Sequence, residues 1–241
     1  MPSSQFIMAN KTRKTAKPLQ ISAPELPDES TAETGFDEQL NSGDHHTDLI
    51  LSNRSLAGQT ASRLTIQRAR LQDIEMVGSK LKFLRLIDVR LDHCDLANVD
   101  WSQSTFNRIE LANCRMTGVR FTDSEIRDVS FEDCKIDLAQ FRVCAFKDCR
   151  FLNCNLREAD FYEANLEGIV FSGCDLRGVQ LYGANLKGAD FRGSQLEGLQ
   201  ARAEDLQGAI IDSLQLLDLA PDLAAMIGLR VLEADEPARR S

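Results

Sequence analysis

From Leu81 to Leu216 every fifth residue is Leu, Phe, Ile, Met or Trp, and only Ala201 departs. A five-residue period excludes an α-helix, whose apolar period is 3.6 residues. It also excludes an unbroken strand. Positions two apart share one side of an extended segment, and five is odd, so a continuous strand would flip its apolar side at every block. The chain must turn between blocks and reset.

The position two before each large residue is restricted as well. From Val89 to Leu199 it holds only Val, Cys, Ser, Ile, Ala or Leu. Each block therefore sends one small and one large side chain inward, and residues such as Asp95, Arg115, Lys135, Asn155 and Asp175 point out. Gly at the second position after the large residue, as at Gly173 or Gly183, suits the corner. No Pro lies between Pro27 and Pro221, so nothing in that stretch deletes a ladder donor.

The cysteines set the number of blocks per turn. All seven occupy the smaller inward position, and Cys94, Cys114, Cys134, Cys154 and Cys174 are spaced by twenty. Phe131, Phe151, Phe171 and Phe191 share that spacing, as do Trp101, Phe121, Phe141 and Phe161. Four blocks make one turn, and a four-sided coil stacks each column on itself at about 4.8 Å per turn.

The blocks ADFYE, ANLEG, ANLKG and ADFRG, with CNLRE and CDLRG, follow A-[DN]-L-x-x, and the chain resembles the pentapeptide-repeat family over about Leu64 to Leu216. The resemblance implies an all-β fold: a right-handed quadrilateral β-helix of about 20 residues per coil. The hand comes from the family. The expected organisation is a disordered tail over 1–48, an irregular first coil over 49–63, the β-helix over 64–212, a helical cap over 213–232 and a flexible tail over 233–241. The first tail is charged and proline-bearing with few large apolar residues to offset ordering entropy. Arg54 and Gln59 at small inward positions make the first coil ragged, and Glu204 loosens the coil near 200–208. The cap follows from the apolar spacing of "SLQLLDLAPDLAAMIGLRVL", with Pro221 suited to a first helical position and Gly228 to a helix end. An open β-helix end has exposed strand edges and must be covered. Relatives that act on topoisomerases also use this segment to dimerise, which implies a homodimer contact here.

The chemistry is sparse. The cysteines read as small apolar fillers, with no C-x-x-C among them. His45 and His46 lie in the tail and His93 on a corner, so no metal set, nucleophile triad or phosphate loop is expected, and no cofactor. The reading is not an enzyme. The net charge of −9 argues against direct nucleic-acid binding. No apolar run is long enough to span a membrane, and no secretion signal opens the chain, which points to a cytoplasmic protein.

Two functions are expected in order. The first is a non-catalytic scaffold with a protein partner, read from an outward column of Arg142, Tyr162, Tyr182 and Arg202. Outward Leu138, Val143, Leu152 and Val170 add apolar surface near the middle. The alternative comes from the family, some of whose members imitate duplex DNA and bind DNA gyrase or topoisomerase IV. Residues 64–216 hold 24 acidic and 19 basic residues, a net of 19 − 24 = −5. Duplex DNA of the same length, about 37 Å, carries about 22 negative charges. Mimicry would then have to rest on one cluster: Asp123, Glu125, Asp128, Glu132, Asp133 and Asp137.

Overall fold

A computed structural model describes residues 20–28, 30 and 39–232 of the 241-residue chain. The chain winds into a four-sided parallel β-solenoid closed by one helix. One sheet runs in the order β1 (His45–Ser55), β3 (Thr65–Glu75), β5 (Arg85–Asp92), β6 (Thr105–Ala112), β7 (Glu125–Glu132), β9 (Arg150–Leu152) and β10 (Val170–Ser172). β8 (Ala145–Lys147) also pairs with β7, and β2 (Thr60–Ser62) pairs with β4 (Lys80–Lys82). Every pairing joins residues twenty apart, as in Leu71↔Leu91 and Leu91↔Leu111. Single parallel bridges continue the ladder to Asp190↔Ile210.

Burial follows the two inward positions of each block. The core alternates small and large side chains, such as Cys134 with Ile136 and Ala139 with Phe141, each at 3 % exposure or less. Between blocks the backbone turns through the left-handed region. Asp48, Asn53 and Asp73 do so with φ of 58°, 54° and 51°. Asn and Asp tolerate this conformation because their short polar side chains bond locally. From Gly168 to Gly198 every such corner is glycine.

The core changes character along the axis. Leu51, Leu71, Leu91 and Leu111 fill one column, and Phe131, Phe151, Phe171 and Phe191 continue it. The phenyl rings stack with centroids 4.5, 5.0 and 4.9 Å apart. Phe121, Phe141 and Phe161 form a second stack at 5.0 and 4.8 Å. The stacks meet edge to face, as at Phe121–Phe131, 6.4 Å and 89°. All seven cysteines are free and buried. The thiols other than that of Cys154 donate to carbonyls one turn back, for example Cys144 Sγ to Phe121 O at 2.9 Å. Burial pushes the Cys144 and Cys149 thiols up to about 12, so neither supplies a thiolate nucleophile.

The ends differ from the sequence reading. Within residues 49–63, expected as an irregular first coil, β1 spans the first part and pairs in register with β3 from His45↔Thr65 to Ser55↔Glu75. Arg54 keeps that register opposite Ile74 but lies exposed, which the first turn permits because only one neighbour covers it. Part of the 1–48 tail is also placed. Leu40 is 4 % exposed and closes the core at this end, its N–H donating to Gln59 Oε1 at 2.7 Å. Residues 20–28 lie along the solenoid, with Pro27 buried. Residues 1–19, 29, 31–38 and 233–241, on which the rest of the tail readings fall, are outside the described residues.

At the other end Glu204 is exposed and Asp205 is buried, because a 3-10 turn over Ala203–Leu206 replaces a repeat corner. The inward register ends with Ile211, since Leu216 is 51 % exposed. The cap is one helix, α1 (Ser213–Met226), and Pro221 sits inside it instead of opening a second helix. Asp212 starts α1 by accepting from the Leu214 and Gln215 N–H groups, and Gln215 accepts in return from the Asp212 N–H. The same Gln215 amide donates to the Phe191 and Ser194 carbonyls at 2.6 Å each, tying the helix to the last turn.

Candidate interaction surface

The residue after each large inward side chain points out, so residues twenty apart in that position form an exposed column. Arg142, Tyr162, Tyr182 and Arg202 occupy one such column, as the spacing predicts. The Arg142 guanidinium lies 4.4 Å from the Tyr162 ring centre. It is held there by Asp160, whose Oδ2 accepts from Arg142 Nη1 at 2.6 Å while its Oδ1 accepts the Tyr162 N–H at 2.9 Å. The Tyr182 hydroxyl donates to Gln200 Oε1 at 3.4 Å. Arg202 is gripped by the Asp205 carboxylate through two bonds of 2.9 and 2.7 Å. Glu163 beside Tyr162 holds that phenol above its ordinary range. The column is thus an ordered strip of planar cations and aromatic rings.

Leu138 and Val143 flank Arg142 at the two corners of the same wall, 52 % and 49 % exposed. Both have positive φ, 59° and 58°. A β-branched residue there is uncommon, because its Cβ crowds the backbone. Leu152 and Val170, also read as outward apolar surface, are half-buried on other walls.

The acidic residues are not brought together. Residues 123–137 wind most of the way round one turn, so Asp123, Asp128, Asp133 and Asp137 belong to different corners or walls. Several have local work. Asp123 accepts from Gln103 at 3.4 Å, Asp137 from the Thr117 hydroxyl at 2.7 Å, and Asp128 from the Ser22 N–H at 3.0 Å. Glu125 lies on the β7 wall between Thr105 and Ala145, and Glu132 at the end of β7. Among the described residues no group of three or more His, Cys, Asp or Glu is placed to hold a metal ion. No helix among them is long and apolar enough to cross a membrane.

One arrangement was not read from the sequence. Asp48, Arg68, Asp88, Arg108 and Asp128 form a corner column of alternating charge. Arg68 Nε meets Asp48 Oδ1 at 2.8 Å, and Arg108 makes two bonds to Asp88 at 2.5 and 2.6 Å. Asp88 is 2 % exposed. Burial pushes its carboxyl up, but the Arg108 hydrogen bonds, the Glu25 N–H and the charges of Arg108 and Arg68 outweigh that and hold it below the usual carboxylate range. Residues 20–28 run along this column. The signal was present as an alternation every twenty residues, visible only once the turn length is used as the reading frame.

The model for the pentapeptide repeat region matches residues 84–145, 124–201 and 144–216, together more than half of the chain. No curated protein matches. Among solved structures, a trypsin-treated variant of QnrB1, a plasmid-mediated fluoroquinolone resistance protein, shares 20% identity with a TM-score of 0.38, covering 82% of this chain and 95% of that one. A pentapeptide repeat protein of the Arabidopsis thaliana thylakoid lumen shares 20% identity with a TM-score of 0.35, covering 46% and 74%. HetL of Nostoc sp. strain PCC 7120, involved in heterocyst differentiation regulation, shares 16% with a TM-score of 0.24, covering 72% and 89%. With its five-residue blocks, twenty-residue turns and repeat-model match, the chain belongs to the pentapeptide-repeat family.

Proposed function

We propose that the protein is a non-catalytic scaffold that binds a protein partner through the wall bearing Arg142, Tyr162, Tyr182 and Arg202. The observation that carries this is the Arg142–Tyr162 stack at 4.4 Å, pinned by Asp160 and exposed beside Leu138 and Val143. Aromatic and Arg side chains held in place lose little entropy on docking and are enriched where binding energy concentrates. The test is the double variant Tyr162→Ser/Tyr182→Ser. Its circular dichroism should match the parent, because both rings lie outside the core, and capture of the cellular partner should fall. Unchanged capture would remove this wall from consideration.

Binding of gyrase or topoisomerase IV by DNA mimicry calls for one acidic face, and the turn distributes the 123–137 acids over several sides. A supercoiling titration separates the two readings: inhibition at near-stoichiometric protein would favour mimicry.

We further infer that two copies meet through the cap. Leu214, Leu217 and Ile227 of this segment are 72 %, 69 % and 63 % exposed, more than a lone monomer surface needs. Sedimentation should show a dimer that Leu217→Glu converts to monomer; a monomeric parent would overturn this.

A further inference from the structure

The segment Gln20–Asp28, QISAPELPD, is fastened to the solenoid by its backbone at regular intervals. The Ser22 N–H donates to Asp128 and the Glu25 N–H to Asp88, both at 3.0 Å. The Pro27 carbonyl accepts from Arg70 Nε at 3.3 Å. The two donors are three residues apart in the segment, and the two acceptors are two turns apart in the solenoid.

These intervals agree for a physical reason. Pro24 and Pro27 fix their own φ near −65°, which favours an extended chain of polyproline type. Such a chain rises about 3.1 Å per residue, or about 9.3 Å for three. Two turns of a parallel solenoid rise about 9.6 Å. An acid on every second turn thus meets a donor on every third residue. Arg108, on the turn between, holds the Asp88 carboxylate in its charged form, and the Glu25 side chain lies close enough to Arg108 to stabilise its charge. Pro27 is buried and, with Ile50, Leu51 and Arg70, lines a depression of about 360 Å³. The column therefore reads four features: spacing of free N–H groups, extended backbone, a buried proline whose carbonyl meets Arg70, and an acid near Arg108.

We propose that the Asp48–Asp128 column is a binding track for extended, proline-bearing acidic segments of a partner protein, and that residues 20–28 are its resting occupant. This goes beyond the tyrosine wall, which lies on another part of the turn. Nothing in the four features requires the segment to belong to the same chain. Three backbone contacts hold it, two of them through acceptors a competing segment could use identically.

The full-length variant Ser22→Pro/Glu25→Pro tests this. Proline removes both N–H donors and keeps the backbone extended. The probe is a fluorescein-labelled peptide of sequence QISAPELPD. It should bind the variant saturably and leave the parent unlabelled, because the tethered segment outcompetes it. Adding Asp88→Asn and Asp128→Asn to the variant should weaken the peptide about tenfold or more, since each loses a bond to a charged acceptor. Asn suits the left-handed corner, so the fold survives. Protection of residues 20–28 from hydrogen exchange is measured in parallel. A variant whose segment stays protected would show that the N–H donors do not hold it, and would overturn the proposal. So would a released segment with no saturable peptide binding, or equal binding to parent and variant. A variant that associates beyond the parent's own state and returns to that state on adding peptide would assign the track to a second copy of the chain instead of a partner. None of these outcomes depends on Tyr162 or Tyr182.

Discussion

The turns before Gly168 and those after it share one backbone and differ in their corners. In the earlier part most corners carry side chains: Asp88, Arg108, Asn113, Asp128, Leu138 and Val143 all have φ between 53° and 59°. In the later part the corners are glycine. Left-handed backbone costs an L-residue roughly 1–2 kcal/mol, less for Asn and Asp. The earlier part accepts that strain and gains surface chemistry. Its corner side chains pair across turns, as in Arg68–Asp48 and Arg108–Asp88. The later part is free of strain and its corners are bare. Its best ion pairs lie within one block, Arg177–Asp175 and Arg192–Asp190, although Lys187–Glu167 still crosses a turn. The charged track stops where Gly168 and Gly188 occupy its column. Charged side chains that pair across turns therefore collect in the side-chain-bearing corners, and unstrained backbone is left to the glycine-bearing ones.

The sharpest way to break this comparison is through the core, where the change comes earlier: one column is leucine through Leu111 and phenylalanine from Phe131 on. Phe151 stacks between Phe131 and Phe171 at 4.5 and 5.0 Å and is fully buried. Phe151→Ala should cost about 3–5 kcal/mol, the range for a buried Phe truncated in a core that relaxes only partly. In the same column Leu71→Ala should cost about 2–5 kcal/mol and fall at the lower end, because the first turns have fewer covered neighbours. Denaturant melts of both variants measure this. Equal losses would mean that ring stacking adds nothing beyond area.

Which parts of this were legible in the sequence depends on whether the signal is periodic. The five-residue block and the twenty-residue turn are enforced wherever side chains meet in the core, so Cys94 to Cys174 and Phe131 to Phe191 display them openly. The Arg142–Tyr162–Tyr182–Arg202 column followed from the same frame. The first turn was hidden because Arg54 and Gln59 stand where the frame demands small apolar residues, and an end turn tolerates them. The segment 20–28 was hidden for a different reason. It has no core of its own, and composition alone makes it a solvated tail. Its order comes from Asp88 and Asp128, more than 60 residues away in sequence. The acidic run 123–137 is contiguous in sequence and distributed in space, because neighbours in a coiled chain face different sides.

Exchanging two corners of one column sharpens the comparison further. Val143 and Gly183 are forty residues apart, on the same corner two turns away. Val143→Gly relieves about 1–2 kcal/mol of left-handed strain and gives back about 0.4–1 kcal/mol in unfolded-chain entropy. The net should be a small stabilisation. Gly183→Val takes on the same strain, and its Cβ would stand 3.1 Å from Glu163 Cγ. It should cost more than Val143→Gly gains. Thermal melts of the pair read both signs. A destabilised Val143→Gly would mean that this exposed valine packs against something the strain argument ignores.

The smallest effect separates the track from the solenoid by pH. Asp88 accepts from Arg108 and from the Glu25 N–H, with Arg68 also nearby, and its carboxyl is held below the usual range. A depressed carboxylate contributes its stabilisation above the unfolded value, about 3.9, and loses it as pH falls through the depressed one. The apolar core columns contain no group that titrates in that window, so they should not respond. Amide shifts of Ser22 and Glu25 should hold steady from neutral pH to about 4 and then move toward free-chain values. Those of Cys134 and Phe151 should stay fixed through the same range. A strap that releases together with the core would mean that the early corners stabilise the whole solenoid. A strap that never releases would place its anchorage in buried Pro27 and its Arg70 contact, and would leave the charged corners a lesser part in holding it.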